Sequence, residues 1–145
     1  MDNENLACKA NRISISNVMA GNKEAWLDLF TEDAIIQDPV GPSMHDPEGK
    51  GFQGRARIAE FWDTVIATGD LTIVPHRRFA AGKHHAAVNM TSTNRFGDLK
   101  TFVEMVACYE VNDEGKIKSI KVYWDENVPM KQVGVGGAAS YVLES

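Results

Sequence analysis

A chain of 145 residues has the length of one ordinary domain and can bury a core without disulfides or metals. Its 43% hydrophobic and 24% charged residues are typical of globular proteins, and its net charge of -5 argues against a nucleic-acid partner. Cys8 and Cys108 show no metal-ligand spacing, so we expect free thiols and no metal. The N-terminus lacks a signal-peptide pattern and no apolar run is long enough to cross a membrane, so we expect a cytoplasmic protein without membrane contact.

Three helices are predicted before residue 70. Apolar residues recur every three to four positions over residues 4–20, and Gly21 suits the left-handed position that ends a helix. Asn22 can cap a second, short helix. Its predicted apolar face consists of Trp26, Leu29 and Phe30. The clearest helical stripe precedes Gly69. Its residues are Ile58, Phe61, Trp62, Val65 and Ile66.

The remaining elements are predicted to be strands. A short strand, residues 34–38, is stopped by Pro39, and a loop rich in Pro and Gly follows to residue 54. Four runs with hairpin turns between them then predict an antiparallel meander. These runs cover residues 71–79, 86–96, 101–111 and 116–124. Because a sheet this long curls, the predicted fold is α+β, a cone-shaped curved antiparallel sheet wrapped on three N-terminal helices. We predict one domain over residues 1–130 and a flexible C-terminal tail over residues 131–145.

The sequence around the first strand resembles a known family. The segment from Gly21 through the run Gln37-Asp38-Pro39-Val40-Gly41 is similar to the Δ5-3-ketosteroid isomerases, and the last strand, which ends in Tyr123-Trp124, continues the match. That family shares the cone fold of nuclear transport factor two and the SnoaL-like polyketide cyclases. Mycobacterial ketosteroid isomerase-like proteins look most similar. The resemblance implies a homodimer that needs no cofactor.

The resemblance also implies a catalytic role for Asp38. In the family, the aspartate at this position takes a proton from the carbon next to a steroid ketone and returns it two carbons away. This chemistry needs a carboxylate in an apolar pocket, where it is basic because it is poorly hydrated. Without the resemblance, the favoured interpretation of Asp38 would be a strand-end residue that accepts amide hydrogens from the turn at Val40 and Gly41.

The polar partners of the family's aspartate are missing from this chain. The resemblance places Ser14 where the family has a hydrogen-bonding tyrosine, and Ala107 where it has a buried, protonated aspartic acid. Loss of one such donor costs about two to three decades in rate, so we expect a feeble isomerase at best. Two substitutes are conceivable: Tyr109, which shares the strand face of Ala107, and Ser14 itself, directly or through a water.

The predicted pocket is otherwise apolar, which suits a flat hydrophobic ligand, steroid or polyketide-like. The residues predicted to line it are Ser14, Trp62, Val65, Val88, Met90, Met105, Ala107, Tyr109, Val122 and Trp124. His45 could reach the pocket mouth. Surface positions are predicted for the other histidines, which are His76, His84 and His85. Three functions remain open at this point: a proton-transferring isomerase or related lyase or cyclase, a non-catalytic steroid-binding protein, and a protein-interaction module with a vestigial pocket.

Overall fold

The computed structural model of the protein describes residues 4–125 and 133–134. Helix α1 spans Leu6–Ala20; the Asn5 side chain caps its start, and Gly21, at φ 69°, ends it. Helix α2 is a single short turn, Lys23–Leu27, and α3 spans Arg55–Phe61 and continues as a π-helical turn over Trp62–Ile66. The three predicted helices are therefore present.

A curved sheet packs against the helices. Its strands in chain order are β1 (Phe30–Gln37), β2 (Phe52–Gln53), β3 (Asp70–Ala81), β4 (His85–Phe96), β5 (Leu99–Val111), β6 (Ile117–Tyr123) and β7 (Val133–Gly134). The spatial order is β2-β1-β6-β5-β4-β3, with β7 paired to β5. Antiparallel pairing of β3, β4, β5 and β6 confirms the predicted meander. The predicted α+β cone is likewise confirmed.

The structure corrects three details of the predicted elements. Phe30 belongs to β1 rather than to the second helix, because the carbonyl of Leu29 accepts a hydrogen bond from the Ile117 amide at 2.8 Å and the chain joins the sheet there. Residues 52–53 of the predicted loop form a strand that pairs with β1. β1 pairs with β6 in the parallel direction, so the sheet is not wholly antiparallel. Of the predicted flexible tail, only residues 133–134 lie within the described part of the chain.

The core lies between the helices and the concave face of the sheet. Trp26 connects the two layers: its ring lies 4.7 Å from that of Phe30 and 5.2 Å from that of Trp62, measured between ring centroids. Helix α1 packs against β3, β4 and β5 and brings its buried face over the sheet. The polar residues Asn11 and Ser14 lie on that buried face of α1. Polar groups on an inner helix face need partners, and those of Ser14, which are Trp26 and Tyr109, lie next to a cavity.

Candidate functional site

A cavity of about 360 Å³ lies between the helices and the sheet. This volume is within the range of sites that bind small ligands. Seven of the ten residues predicted to form the pocket line it, and they come from α1, the turn after α3 and three strands or strand ends. They are Ser14, Val65, Met90, Met105, Tyr109, Val122 and Trp124.

Three residues predicted to face the pocket are core residues instead. Trp62 is buried and packs its ring against Trp26 rather than against the cavity. Val88 and Ala107 lie opposite each other on β4 and β5, and both are fully buried. Helix α1 packs against both strands, so these two small side chains contribute to the core. Alternation along the strands gives the correct face but does not show where a helix covers it.

Asp38 lies directly after β1 and lines the cavity. Its Oδ1 accepts a hydrogen bond of 2.7 Å from Nε1 of Trp124, which follows the parallel strand β6. Burial raises the pKa of the Asp38 carboxyl above its ordinary value, and the Trp124 hydrogen bond opposes this rise. The Val40 amide donates to the carbonyl of Val122 at 2.9 Å, so it is not used to hold the Asp38 carboxylate.

Two hydroxyl groups meet at another part of the cavity wall. The Tyr109 hydroxyl donates to Oγ of Ser14 at 3.2 Å, and the indole Nε1 of Trp26 donates to the same oxygen at 3.1 Å. Tyr109 is buried, and this burial raises the pKa of its phenol; Ser14 and Asn11 oppose the rise, and the charge of Asp38 adds to it. Asp38, Ser14 and Tyr109 all line the same cavity.

Sequence reasoning missed two parts of this site. Arg78 reaches in from β3 and donates through Nε to Oδ1 of Asn11 at 2.8 Å, which joins the sheet to the buried face of α1. Asn11 could have been found, because it lies three residues before Ser14 on the inner face of a helix. Met44, in the loop after Asp38, also lines the cavity, and a loop has no periodicity from which such a contact could be predicted. His45, which the sequence suggested could reach the pocket mouth, lines the cavity as well.

Within residues 4–125 and 133–134, no group of His, Cys, Asp or Glu is arranged to hold a metal ion. Their helices are too short or too polar to span a bilayer. The thiols of Cys8 and Cys108 are both free.

The curved sheet, the helices packed on it and the cavity that contains a carboxylate define an α+β cone of the kind that binds small ligands. Residues 14–120 match the SnoaL-like domain, and the chain belongs to this family. A steroid delta-isomerase from Nocardioides simplex is 30% identical over 107 residues, which are 74% of this chain and 80% of that protein.

Solved structures give the same result. The Mycobacterium tuberculosis protein RV0760c in complex with estradiol-17beta-hemisuccinate is 31% identical, with a TM-score of 0.82 over 86% of this chain and 97% of that one. The Δ5-3-ketosteroid isomerase from a Mycobacterium species is 28% identical, with a TM-score of 0.79 over 84% of this chain and 95% of that one. The predicted resemblance to ketosteroid isomerase-like proteins is confirmed.

Proposed function

We propose that this protein moves a proton on a hydrophobic ketone, steroid or polyketide-like, with Asp38 as the general base. The observation that carries this proposal is the position of a buried carboxylate, with a raised pKa, on the wall of an apolar cavity. Burial makes the ionised form of Asp38 a stronger base than a hydrated carboxylate.

The two oxygens of Asp38 have different surroundings, which supports this role. Oδ1 is held by Trp124, whereas Oδ2 has no hydrogen-bond partner within residues 4–125 and 133–134. In the proposed reaction, Oδ2 takes a proton from the carbon next to the ketone, and the ketone becomes an enolate. The same carboxyl then returns the proton to the carbon two positions away. The double bond shifts, and no outside acid, base or oxidant is consumed.

A steroid-like ligand is supported by the cavity and by the relatives. The walls combine aliphatic, methionine and aromatic side chains with a few polar groups, as a flat apolar ring system requires. One mycobacterial relative binds estradiol-17beta-hemisuccinate, and two others are steroid isomerases by name.

The direct test is the conversion of 5-androstene-3,17-dione to its Δ4 isomer, followed by absorbance of the conjugated product. We expect turnover by the wild type and a loss of about two decades or more in Asp38→Asn, the scale of a general-base contribution. Ser16→Ala is the matched control, because Ser16 is exposed on α1. Equal turnover by wild type and Asp38→Asn would contradict the proposal.

A non-catalytic binding protein for the same ligands is the second candidate. It is favoured by the resemblance, which places Ser14 and Ala107 where the family has its oxyanion donors. Trp26 and Trp124 line the cavity, so their fluorescence should respond when a steroid enters. Saturable quenching without any turnover would select this candidate. If no steroid or aromatic ketone changes the fluorescence, the remaining alternative is a protein-interaction module with a vestigial pocket.

We further propose that the protein is a cytoplasmic homodimer. Four large apolar side chains on the outer face of the sheet are 41% to 49% exposed. They are Val74, Phe79, Val106 and Tyr123. Val106 and Tyr123 lie opposite each other on β5 and β6, so they form one patch. In sedimentation velocity, Val106→Glu should shift the protein toward monomer, whereas Met19→Glu, at an exposed position on α1, should not. A monomeric wild type would refute the dimer.

A further inference from the structure

We propose that the Asn94 side chain binds a hydroxyl group at the end of the ligand that lies farthest from Asp38. The preferred ligand is then an elongated ring system with a ketone near Asp38 and a neutral hydrogen-bond donor at its other end. This inference rests on the proposed function and narrows its class of ligand. It follows from the position of Asn94 along the cavity, the polarity of the wall around it and the unused oxygen of its side chain.

Asn94 and the proposed general base lie at different levels of the cavity. Asn94 lines the cavity and is opposite Thr101 on β5. Trp124, whose indole holds the carboxylate of the base, follows Tyr123, and Tyr123 is opposite Val106 on the same strand. The two levels are five residues of β5 apart, or roughly 17 Å at about 3.3 Å a residue. On the concave face the path is shorter than the strand, so a ligand with four fused rings can reach both levels, whereas a single ring cannot.

The cavity wall changes from apolar to polar toward Asn94. The facing pairs along β4 and β5 that line it are, in order, Met90 and Met105, Ser92 and Val103, and Asn94 and Thr101. Thr68, just before β3, adds another neutral hydroxyl to the lining. Arg95 and Lys100, next along the two strands, point to the opposite face under strand alternation. Because an ionised group needs a counter-charge when it leaves water, this wall fits a neutral polar group of the ligand.

The Asn94 side chain has an unused hydrogen-bond acceptor. Its Oδ1 is shielded from water, and no group within residues 4–125 and 133–134 donates to it. The neighbouring Thr101 hydroxyl donates instead to the backbone carbonyl of Asn94, at 3.5 Å. A buried amide oxygen without a donor costs free energy, and a donor on the ligand would remove this cost. The terminal torsion of an Asn side chain is broad, so Oδ1 can turn toward the cavity that the residue lines.

The free acceptor determines which ligands are preferred. In a steroid that has its 3-ketone near Asp38, the group at the far end of the four rings is the substituent on carbon 17. A 17-hydroxyl can donate to Oδ1 of Asn94, whereas a 17-ketone has no hydrogen to donate. Among 3-ketosteroids, we therefore expect 17-hydroxy compounds to bind more tightly than 17-ketones.

The test compares two ligands that differ only in this donor. Testosterone has a 17-hydroxyl and 4-androstene-3,17-dione has a 17-ketone, and both already contain the conjugated ketone, so no turnover interferes. Dissociation constants are measured from the fluorescence of Trp26 and Trp124, which line the cavity. The wild type should bind testosterone about three- to tenfold more tightly, the effect of one hydrogen bond between neutral groups. Asn94→Leu should remove this preference by weakening testosterone alone, and Asn94→Asp, which keeps an acceptor, should retain it.

Thr101→Val and Thr93→Val are the matched controls, because they are the same change on adjacent strands. Thr101 lines the cavity, but its hydroxyl is directed to the backbone, so its loss should reduce the preference less than Asn94→Leu does. Thr93 faces away from the cavity under strand alternation, so Thr93→Val should leave the preference unchanged. Circular dichroism shows whether each variant is folded, and Asn94→Ala, which adds no bulk, gives the same readout if the leucine variant does not fold.

Three results would overturn the inference. The first is a wild type that binds both steroids equally or prefers the ketone. The second is an Asn94→Leu variant that weakens both steroids by the same factor, because the side chain would then support the wall without contacting the substituent on carbon 17. The third is loss of the preference in Thr101→Val together with its retention in Asn94→Leu, because the hydroxyl would then be the acceptor.

Binding and turnover separate this inference from the general-base proposal. The preference should be the same in Asp38→Asn, because the Asn94 contact lies at the other end of the ligand. If turnover is independent of Asp38 but the preference depends on Asn94, the general-base proposal fails and the Asn94 contact stands. If turnover depends on Asp38 but both steroids bind equally, the reverse holds. Failure of the wild type to bind either steroid would overturn the Asn94 contact together with the proposed class of ligand.

Discussion

The hydrogen bond between Trp124 and Asp38 gives the sharpest prediction. In Trp124→Phe, an aromatic ring remains but the Nε1 donor, 2.7 Å from Oδ1 of Asp38, is lost. A hydrogen bond to a charged group contributes about 1.5 to 3 kcal/mol, and one between neutral groups about 0.5 to 1.5 kcal/mol. The Trp124 contact therefore favours the ionised carboxylate by about 1 kcal/mol over the neutral acid.

A double-mutant cycle isolates this difference. Asp38→Asn keeps an acceptor oxygen but removes the charge, so packing lost in Trp124→Phe cancels between the two backgrounds. Urea unfolding of the four proteins at pH 8 should give a coupling energy of about 1 kcal/mol. Coupling should vanish at a pH where the carboxyl is protonated. Tyr123→Phe, at the exposed neighbouring position, should show no coupling to Asp38.

The same change should be visible in the pH dependence of turnover. Loss of the Trp124 donor raises the pKa of Asp38 further, because this hydrogen bond is the effect that opposes burial. The acid limb of the rate profile, where the base becomes protonated, should move to higher pH in Trp124→Phe. The usual error of such cycles is about 0.3 kcal/mol. The electrostatic account of this pair would be refuted if the acid limb of the pH–rate profile did not move and the coupling energy were below this value.

Three further predictions concern stability. The folded-state pKa of Asp38 is raised, so its carboxyl contributes stability that is present below the unfolded-state pKa and is lost as pH rises through the folded-state value. Asn does not titrate. The free energy of unfolding of Asp38→Asn, measured in urea, should therefore rise relative to that of the wild type between pH 4 and pH 8. Gly51→Ala should cost about 1 to 3 kcal/mol, since at φ 83° its Cβ would come within 2.8 Å of the Ile35 side chain, and Gly82→Ala, with open space around it, should cost less. Ile58→Ala should cost about 2 to 5 kcal/mol in the same assay, as Ile58 is fully buried; a loss below 1 kcal/mol would contradict its place in the core.

The sequence predicts the meander and the third helix well, because both have clear periodicity. It fails at Phe30, where apolar spacing fits a helix, because a five-residue helix such as α2 is too short to compete with pairing to β6. The parallel direction of β1 relative to β6 is a long-range property without a local signal. Pocket positions such as Val65 and Met105 can be predicted from helical periodicity and strand alternation. Val88 could not be assigned correctly, because the pattern of a strand does not show which of its inward side chains a helix covers.

The polar part of the site was the least predictable. Its chain begins at Arg78, on a strand in the second half of the sequence, and reaches a helix near the N-terminus, 67 positions away. Pattern within a segment cannot show such a contact. The resemblance indicated Ser14 as the position of a lost tyrosine and as a possible substitute donor, but not the contacts of its oxygen with Trp26 and Tyr109.

The parallel pairing of β1 with β6 has a consequence for how this site could diversify. Asp38 and Trp124 each stand just beyond the end of a strand, and the two strands run in the same direction and end at the same rim of the sheet. Substitutions or insertions in the segments after these two ends would alter what contacts the carboxylate while the hydrogen-bonded ladder stays intact. The segments at this rim can therefore vary while the sheet is kept, and binding of new ligands can evolve there without a new fold.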